Sequence, residues 1–357
     1  MKEINSIDHE VKFFGIGGSR MISAGLNAEY HIKDMAFLGF AEVVKHLPFI
    51  KKVKRDILNS VNENKIDNII LIDYPGFNLN IAKKLKKMDK KIFYYISPQV
   101  WAWGKKRINK IRKIVDKMLV VFPFEKDMYV ESSVKAEYVG HPLVEQIDEY
   151  NYLEKEDLFA KFNLDSGKDI LLVLPGSRKQ EVEKIFPETI KAAERLSDEF
   201  NLQTVVALSP SFDESYLKGM TGVKNFRIIK DHNYDLFKNA KFGIIKSGTS
   251  TLEAGLFKLP HVVVYKTNKL TFWIGRSLIK VKNIALSNIV GKKEIVKELI
   301  QDDVNEEKIY TEVKVLLSDE KKLDDIRGGL SELKAKLGKA GASQNAAKII
   351  LKEAYGF

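Results

Sequence analysis

Few residues in this sequence have the types and spacing to do chemistry. The densest group is Ser247-Gly248-Thr249-Ser250-Thr251-Leu252-Glu253. A short apolar run, FGII at 242–245, precedes it, and Leu252, Leu256 and Phe257 return at helical spacing. A strand that turns through small residues into a helix leaves backbone N–H groups free at the helix N-terminus. That end carries partial positive charge and binds anions, phosphate above all. Glu253 sits one turn inside, where it could accept hydrogen bonds from a ribose diol. A plain helix capping box, Ser250-Thr251-Leu252-Glu253, fits the same residues. Arg178 follows another apolar run, ILLVL at 170–174, through the turn Pro175-Gly176-Ser177. A guanidinium there could clamp a diphosphate, or form a surface salt bridge. Asp73 closes the run NIILID. At the carboxyl end of a parallel strand it would face the ligand crevice, as a general base or as a helix cap. Gly17-Gly18, after VKFFGI at 11–16, is either a ligand loop or a tight turn. His141, in Gly140-His141-Pro142, is either a structural residue or an active-site donor. None of the six histidines is paired at i+3 or i+4, so no metal site is expected.

The elements that must position these groups alternate strand and helix. Strands are predicted at 11–16, 68–73, 91–96, 118–122 and 136–139, then at 170–174, 203–207, 226–229, 242–245 and 261–265. Helices fall between them, with one at 181–196. A loop is predicted at 287–291 and a helix at 294–300. The alternation predicts parallel sheets with helices on both faces. A chain of 357 residues is long for one core. The charged stretch 151–168 suggests a boundary, giving domains at 1–160 and 161–335 and a terminal helix at 336–357. The residues before 11 read as the tail of a helix, which is unusual for a domain that normally opens on a strand.

Composition narrows the class. The net charge is +11, from 59 Lys and Arg against 48 Asp and Glu. Such an excess points to polyanionic partners: phosphorylated substrates, an anionic membrane surface or nucleic acid. Two segments, 35–55 and 266–282, interleave bulky apolar residues with Lys and Arg, as membrane-interface helices do; an ordinary buried helix pair fits equally. Trp101-Ala102-Trp103 precedes a third basic stretch. Nucleic acid is the poorer fit, because the basic residues lie among bulky apolar ones. No run approaches the ~18 apolar residues of a membrane span. With no cysteine and no signal-peptide pattern in MKEINSIDHE, a cytoplasmic location is expected.

Taken in order, the motifs resemble those of the lipid-A-disaccharide synthases. They are GIGGSRM at 15–21, LIDYPGFN at 71–78, ISPQVWAW at 96–103, VFPFE at 121–125 and YVGHPL at 138–143. LPGSRKQEV at 174–182, SGTSTLEA at 247–254, Phe272-Trp273 and LSNIVGKKEIVKELIQ at 286–301 complete the set. The resemblance implies an α/β protein of GT-B type, with two Rossmann-like doubly wound domains and a cleft between them. It implies an inverting transfer of a diacylglucosamine from UDP to the 6-hydroxyl of 2,3-diacylglucosamine 1-phosphate (lipid X). The partners implied are UDP-2,3-diacylglucosamine, lipid X and an anionic membrane surface, with a homodimer as an option. The location implied is peripheral, on the inner face of the inner membrane of a Gram-negative bacterium. No metal or other cofactor is expected. By the same resemblance Asp73 is the base. Arg178, Ser247, Gly248, Thr249, Ser250, Glu253 and Asn288 bind the UDP-sugar. Gly17, Gly18, Trp101, Trp103 and His141 lie on the acceptor side, and Phe37, Leu38, Phe40, Phe272 and Trp273 meet the membrane. Two departures stand out. The usual first strand and Gly-Glu-x-Ser-Gly-Asp loop are absent, so the first domain is expected to lack a strand and activity to depend on that loss. The usual second acid of the Asp-x-Pro-Asp run is Gly76. Competing readings are another UDP-sugar enzyme of the same shape, an N-acetylglucosaminyl transferase or epimerase, and an inactive protein that binds nucleotide or lipid.

Overall fold

The structure, a computed structural model, describes residues 1–35, 46–102, 104, 107–268, 272 and 283–356. It divides into two compact units: residues up to Pro142 together with those from Lys339 onward, and Leu143–Gly338. The first boundary lies ahead of the one expected near 160 and the terminal helix joins the first unit; a set of hydrogen bonds and an apolar cluster account for these. Tyr150 Oη donates to Asp235 Oδ2 at 2.7 Å and Leu153 N–H donates to Oδ1 at 2.9 Å, which ties the expected boundary stretch into the second unit. The terminal helix Ala342–Tyr355 buries Ala346, Ala347, Ile350 and Leu351 in one cluster with Phe93, Leu119 and Val139 of the first.

In the first unit β1 (Phe13–Gly17) pairs in parallel with β2 (Leu26–His31). A separate parallel sheet runs β3 (Asn68–Ile72), β4 (Lys91–Tyr95), β5 (Lys117–Val120) and β6 (Ala136–Tyr138), in that order. The single sheet expected to lack a strand is therefore two sheets. They share the same layers: Phe13 and Ile70 lie in one core cluster, Ile16 and Ile69 in the other. β2 escaped the sequence reading because LNAEYH, with three consecutive exposed residues, carries no apolar periodicity.

The second unit has strands β7 (Asp169–Leu174), β8 (Leu202–Leu208), β9 (Phe226–Lys230), β10 (Ala240–Lys246), β11 (His261–Tyr265) and β12 (Glu298–Ile300). All are parallel, in spatial order β9-β8-β7-β10-β11-β12. Numbered from β7 this is 3-2-1-4-5-6, the doubly wound order. Alternate residues of β7 face different cores. Leu171 and Val173 pack with the long helix Lys179–Phe200, and Ile170, Leu172 and Leu174 pack with the helices Asn233–Asn239 and Thr249–Leu256 on the other side. Residues 170–173 are fully buried, which is why this strand reads as an unbroken apolar run.

The loop and helix predicted near 287–300 are corrected. Leu286–Gly291 is the helix and Glu298–Ile300 is the edge strand, paired with Val263–Tyr265. A run as short as EIVKELI satisfies both apolar periods, and the open edge of β11 supplies the backbone partners that decide between them.

Candidate active site

In an open doubly wound sheet, ligands bind beyond the carboxyl ends of the strands, where the order reverses. In the second unit the reversal lies between β7 and β10. The turns leaving these two strands are Pro175–Arg178 and Ser247–Gly248, so the topology places two of the sequence candidates side by side. Thr249–Leu256 is a helix with Gly248 at its N-cap and no side chain bonded to its first amides. The alternative capping box is not formed: the helix starts before Ser250, and Glu253 accepts from Tyr234 Oη at 3.3 Å instead. Burial raises the Glu253 carboxyl above its ordinary range, and the Tyr234 bond opposes that shift. Ser247 is buried, and its hydroxyl donates to Ile284 O at 3.2 Å.

Arg178 makes the ion pair that the alternative reading offered. Its Nη1 lies 3.4 Å from Glu181 Oε1, with 62% of its side chain exposed. The same carboxylate oxygen meets Lys246 Nζ at 3.0 Å. Sequence reasoning missed Lys246 and Glu181. The available signal was a cation closing an otherwise apolar strand, FGIIK, directly before the small-residue turn. Gly176 makes room for both: its φ is +118°, and a β-carbon there would lie 3.3 Å from Glu181 Oε2 and 3.5 Å from the Lys246 stem.

Asn288 was expected to meet the nucleotide. In the structure its side chain is spent on the chain itself. It is fully buried, its Oδ1 accepts from Ile295 N–H and Val296 N–H, and its Nδ2 donates to Val296 O and Glu298 Oε1. All four bonding positions of the amide are occupied by the chain itself. Glu298 also accepts from Ile284 N–H and Ala285 N–H, so the pair shapes the segment on which Ser247 leans.

The first unit presents its own carboxyl edge. Asp73 follows β3 with its side chain exposed, while its backbone is fixed. Its N–H donates to Tyr95 O, and its carbonyl accepts from Tyr94 Oη and Asn78 Nδ2, both at 2.7 Å. Asp73 and Tyr74 both have φ of +44°, and Ile96, on the adjoining turn after β4, has φ of +61°. Left-handed backbone at a β-branched residue is costly, and such outliers gather where function over-determines geometry. Beyond Ile96 the chain is gripped by Glu125. Its Oε1 accepts from Ser97 Oγ at 2.8 Å and Trp101 Nε1 at 3.0 Å, and its Oε2 from Phe122 N–H at 3.3 Å. Glu125 is 1% exposed, and burial pushes its carboxyl up to about 7 against the pull of these donors. In the sequence this acid, the last residue of VFPFE, carries no signal of its burial. Trp101 stands edge-on to Phe124, and His141, buried against Phe122, is pushed down to about 4 by desolvation and is neutral near pH 7.

Gly17 and Gly18 are closely packed. A β-carbon on Gly17 would meet Leu26 of β2 at 2.4 Å, and one on Gly18 would meet Ile32, just beyond β2, at 3.2 Å, so both positions favour a small residue. Trp103, Phe37, Leu38, Phe40 and Trp273 lie outside the described residues. Phe272 is half-buried, and its N–H donates to Asn268 O. Among the described residues no helix is long and apolar enough to cross a membrane. A groove of about 780 Å³ between β2 and the helix Leu47–Glu63 is lined by Glu29, Asp56 and Glu63, the wrong sign for a phosphate.

The lipid-A-disaccharide synthetase family model matches residues 1–353. The chain belongs to this family. Lipid-A-disaccharide synthase of Geobacter sulfurreducens is 35% identical over 98% of this chain and 92% of its own length. That of Nitrosococcus oceani is 37% identical over 98% and 90%. The fold is shared more widely. UDP-GlcNAc 2-epimerase from Neisseria meningitidis, bound to UDP-GlcNAc, matches with TM-score 0.60 at 10% identity over 97% of this chain and all of that one. CalG4, the calicheamicin glycosyltransferase, matches with TM-score 0.60 at 12% identity over 99% and 94%. Family membership makes the chain a glycosyltransferase of lipid A biosynthesis, and the GT-B fold expected from the sequence motifs is present.

Proposed function

We propose that this chain condenses UDP-2,3-diacylglucosamine with 2,3-diacylglucosamine 1-phosphate, releasing UDP and inverting the anomeric centre. The observation that carries this reading is the strand-order reversal between β7 and β10, which brings the Arg178 turn beside the uncapped helix after Gly248. The leaving group is a nucleoside diphosphate, and its developing charge needs donors already in place. The amides of Thr249 and Ser250 and the Arg178 guanidinium supply them, without a metal. Glu253, held by Tyr234, takes the ribose hydroxyls.

The attacking 6-hydroxyl must lose a proton as it bonds to the anomeric carbon. Asp73 accepts that proton: its carboxylate is exposed while three backbone bonds hold the residue in place. Trp101 lines the acceptor side, where Glu125 fixes its ring. Both substrates carry acyl chains, so the enzyme works on a membrane surface; the net charge of +11 and the basic-apolar segments suit the anionic inner face of the cytoplasmic membrane. The test is a transfer assay with both lipids in detergent, followed by mass spectrometry. Disaccharide 1-phosphate is the expected product. Turnover of UDP-GlcNAc without acyl chains, or UDP binding with no transfer, would overturn the substrate assignment.

A further inference from the structure

Lys246 is the last residue of β10, one step before the Ser247–Gly248 turn. Its side chain is only 16% exposed, yet its ammonium reaches the loop: a β-carbon at Gly248 would lie 3.7 Å from Nζ. Its ion-pair partner Glu181 sits in the first turn of the helix Lys179–Phe200, with its side chain 12% exposed. That carboxylate is half used. Oε1 takes both Lys246 and Arg178, while Oε2 is buried with no hydrogen-bond partner. A buried ion pair gains little stability unless further bonds complete it, and an orphaned buried oxygen adds to the cost. Gly176 keeps a cradle open against both side chains. Stability alone therefore gives a weak account of the cluster. Its place at the strand-order reversal, with the Lys246 ammonium beside Gly248, gives a better one.

We propose that Lys246 is a second cation for the nucleotide diphosphate, and that Glu181 is the residue that positions Lys246 and Arg178 for it. This rests on the nucleotide site proposed above. Lys246 supplies a compact point charge from the strand, and Arg178 a planar fork from the adjoining turn. Glu181 draws both toward the reversal, so neither side chain has to be ordered when the diphosphate arrives.

The test compares UDP with uridine by titration calorimetry, since only UDP engages the cations. Charge-assisted bonds of this kind are worth about ten- to a hundredfold in affinity. Lys246→Met is expected to cut the UDP-over-uridine preference at least tenfold and leave uridine affinity unchanged. Lys246→Arg should keep most of the preference. The double variant Lys246→Met with Glu181→Gln leaves no unpaired buried charge, because Arg178 is exposed and stays solvated, so it checks the loss without that penalty. An unchanged preference in the double variant would overturn the role of Lys246 while leaving the nucleotide site standing. A wild-type protein that does not prefer UDP to uridine would overturn both.

Discussion

The two units carry their candidate sites at the same topological place, the carboxyl ends of parallel strands, but they equip it oppositely. The edge of the second unit is built from formal charge: Arg178, Lys246 and Glu181 beside an uncapped helix end. The edge of the first is built from neutral donors, aromatic rings and strained backbone, with one buried carboxyl at its centre. The difference suits what each is proposed to hold. A diphosphate is bound by fixed charge, whereas a sugar hydroxyl about to react needs one free base and surroundings that do not compete for it.

The sharpest way to break this contrast is Asp73→Asn. Transfer should fall by about 10²–10⁴-fold while UDP affinity stays at the wild-type value. Near-normal turnover would remove the base from the first unit. Asn288→Ala comes next. It orphans the buried amides of Ile295 and Val296, so the thermal midpoint should drop in line with a loss of about 2–4 kcal/mol. UDP affinity should weaken less than in Lys246→Met. A larger loss of UDP than of stability would return Asn288 to the nucleotide.

Glu125→Gln sharpens the comparison through pH. The carboxyl is held at about 7, above its unfolded value near 4.5, so the folded state keeps a proton that the unfolded state has released. Stability from the protonated form is full below about 4.5 and is lost as pH rises to about 7. His141 and His261, both pushed down to about 4, run the other way, with stability gained as pH rises from about 4 to 6.5. The wild type alone would blur these trends. The difference between wild type and Glu125→Gln isolates the acid: the variant should gain relative stability from pH 5 to pH 7.5, read as a shift in thermal midpoints. A constant difference would mean that Glu125 is already ionised at pH 5.

Much of this arrangement was legible in the residues. Ten of the twelve strands among the described residues are legible as apolar runs, most plainly those such as β7 and β10 that are buried on both faces. β2 and β12 are not, since LNAEYH is half exposed and EIVKELI fits either period until a neighbour's open backbone decides. Asp73, Arg178 and the 247–253 turn stand out in the sequence because polar residues at strand ends have a local signature. Glu181, Lys246 and Glu125 were passed over because a charge next to a helix start is usually solvated, and only burial shows when it is not.

By itself, then, the sequence determined the fold class, the family and which turns carry the polar groups, all properties of local runs and ordered motifs. Tertiary structure decided the rest. The order of strands around β7 and β10 made neighbours of turns about seventy residues apart, since parallel pairing across a crossover is non-local. Packing turned Asn288 inward, and exclusion of water turned Glu125 from a helix-start acid into a carboxyl that still holds its proton near neutral pH.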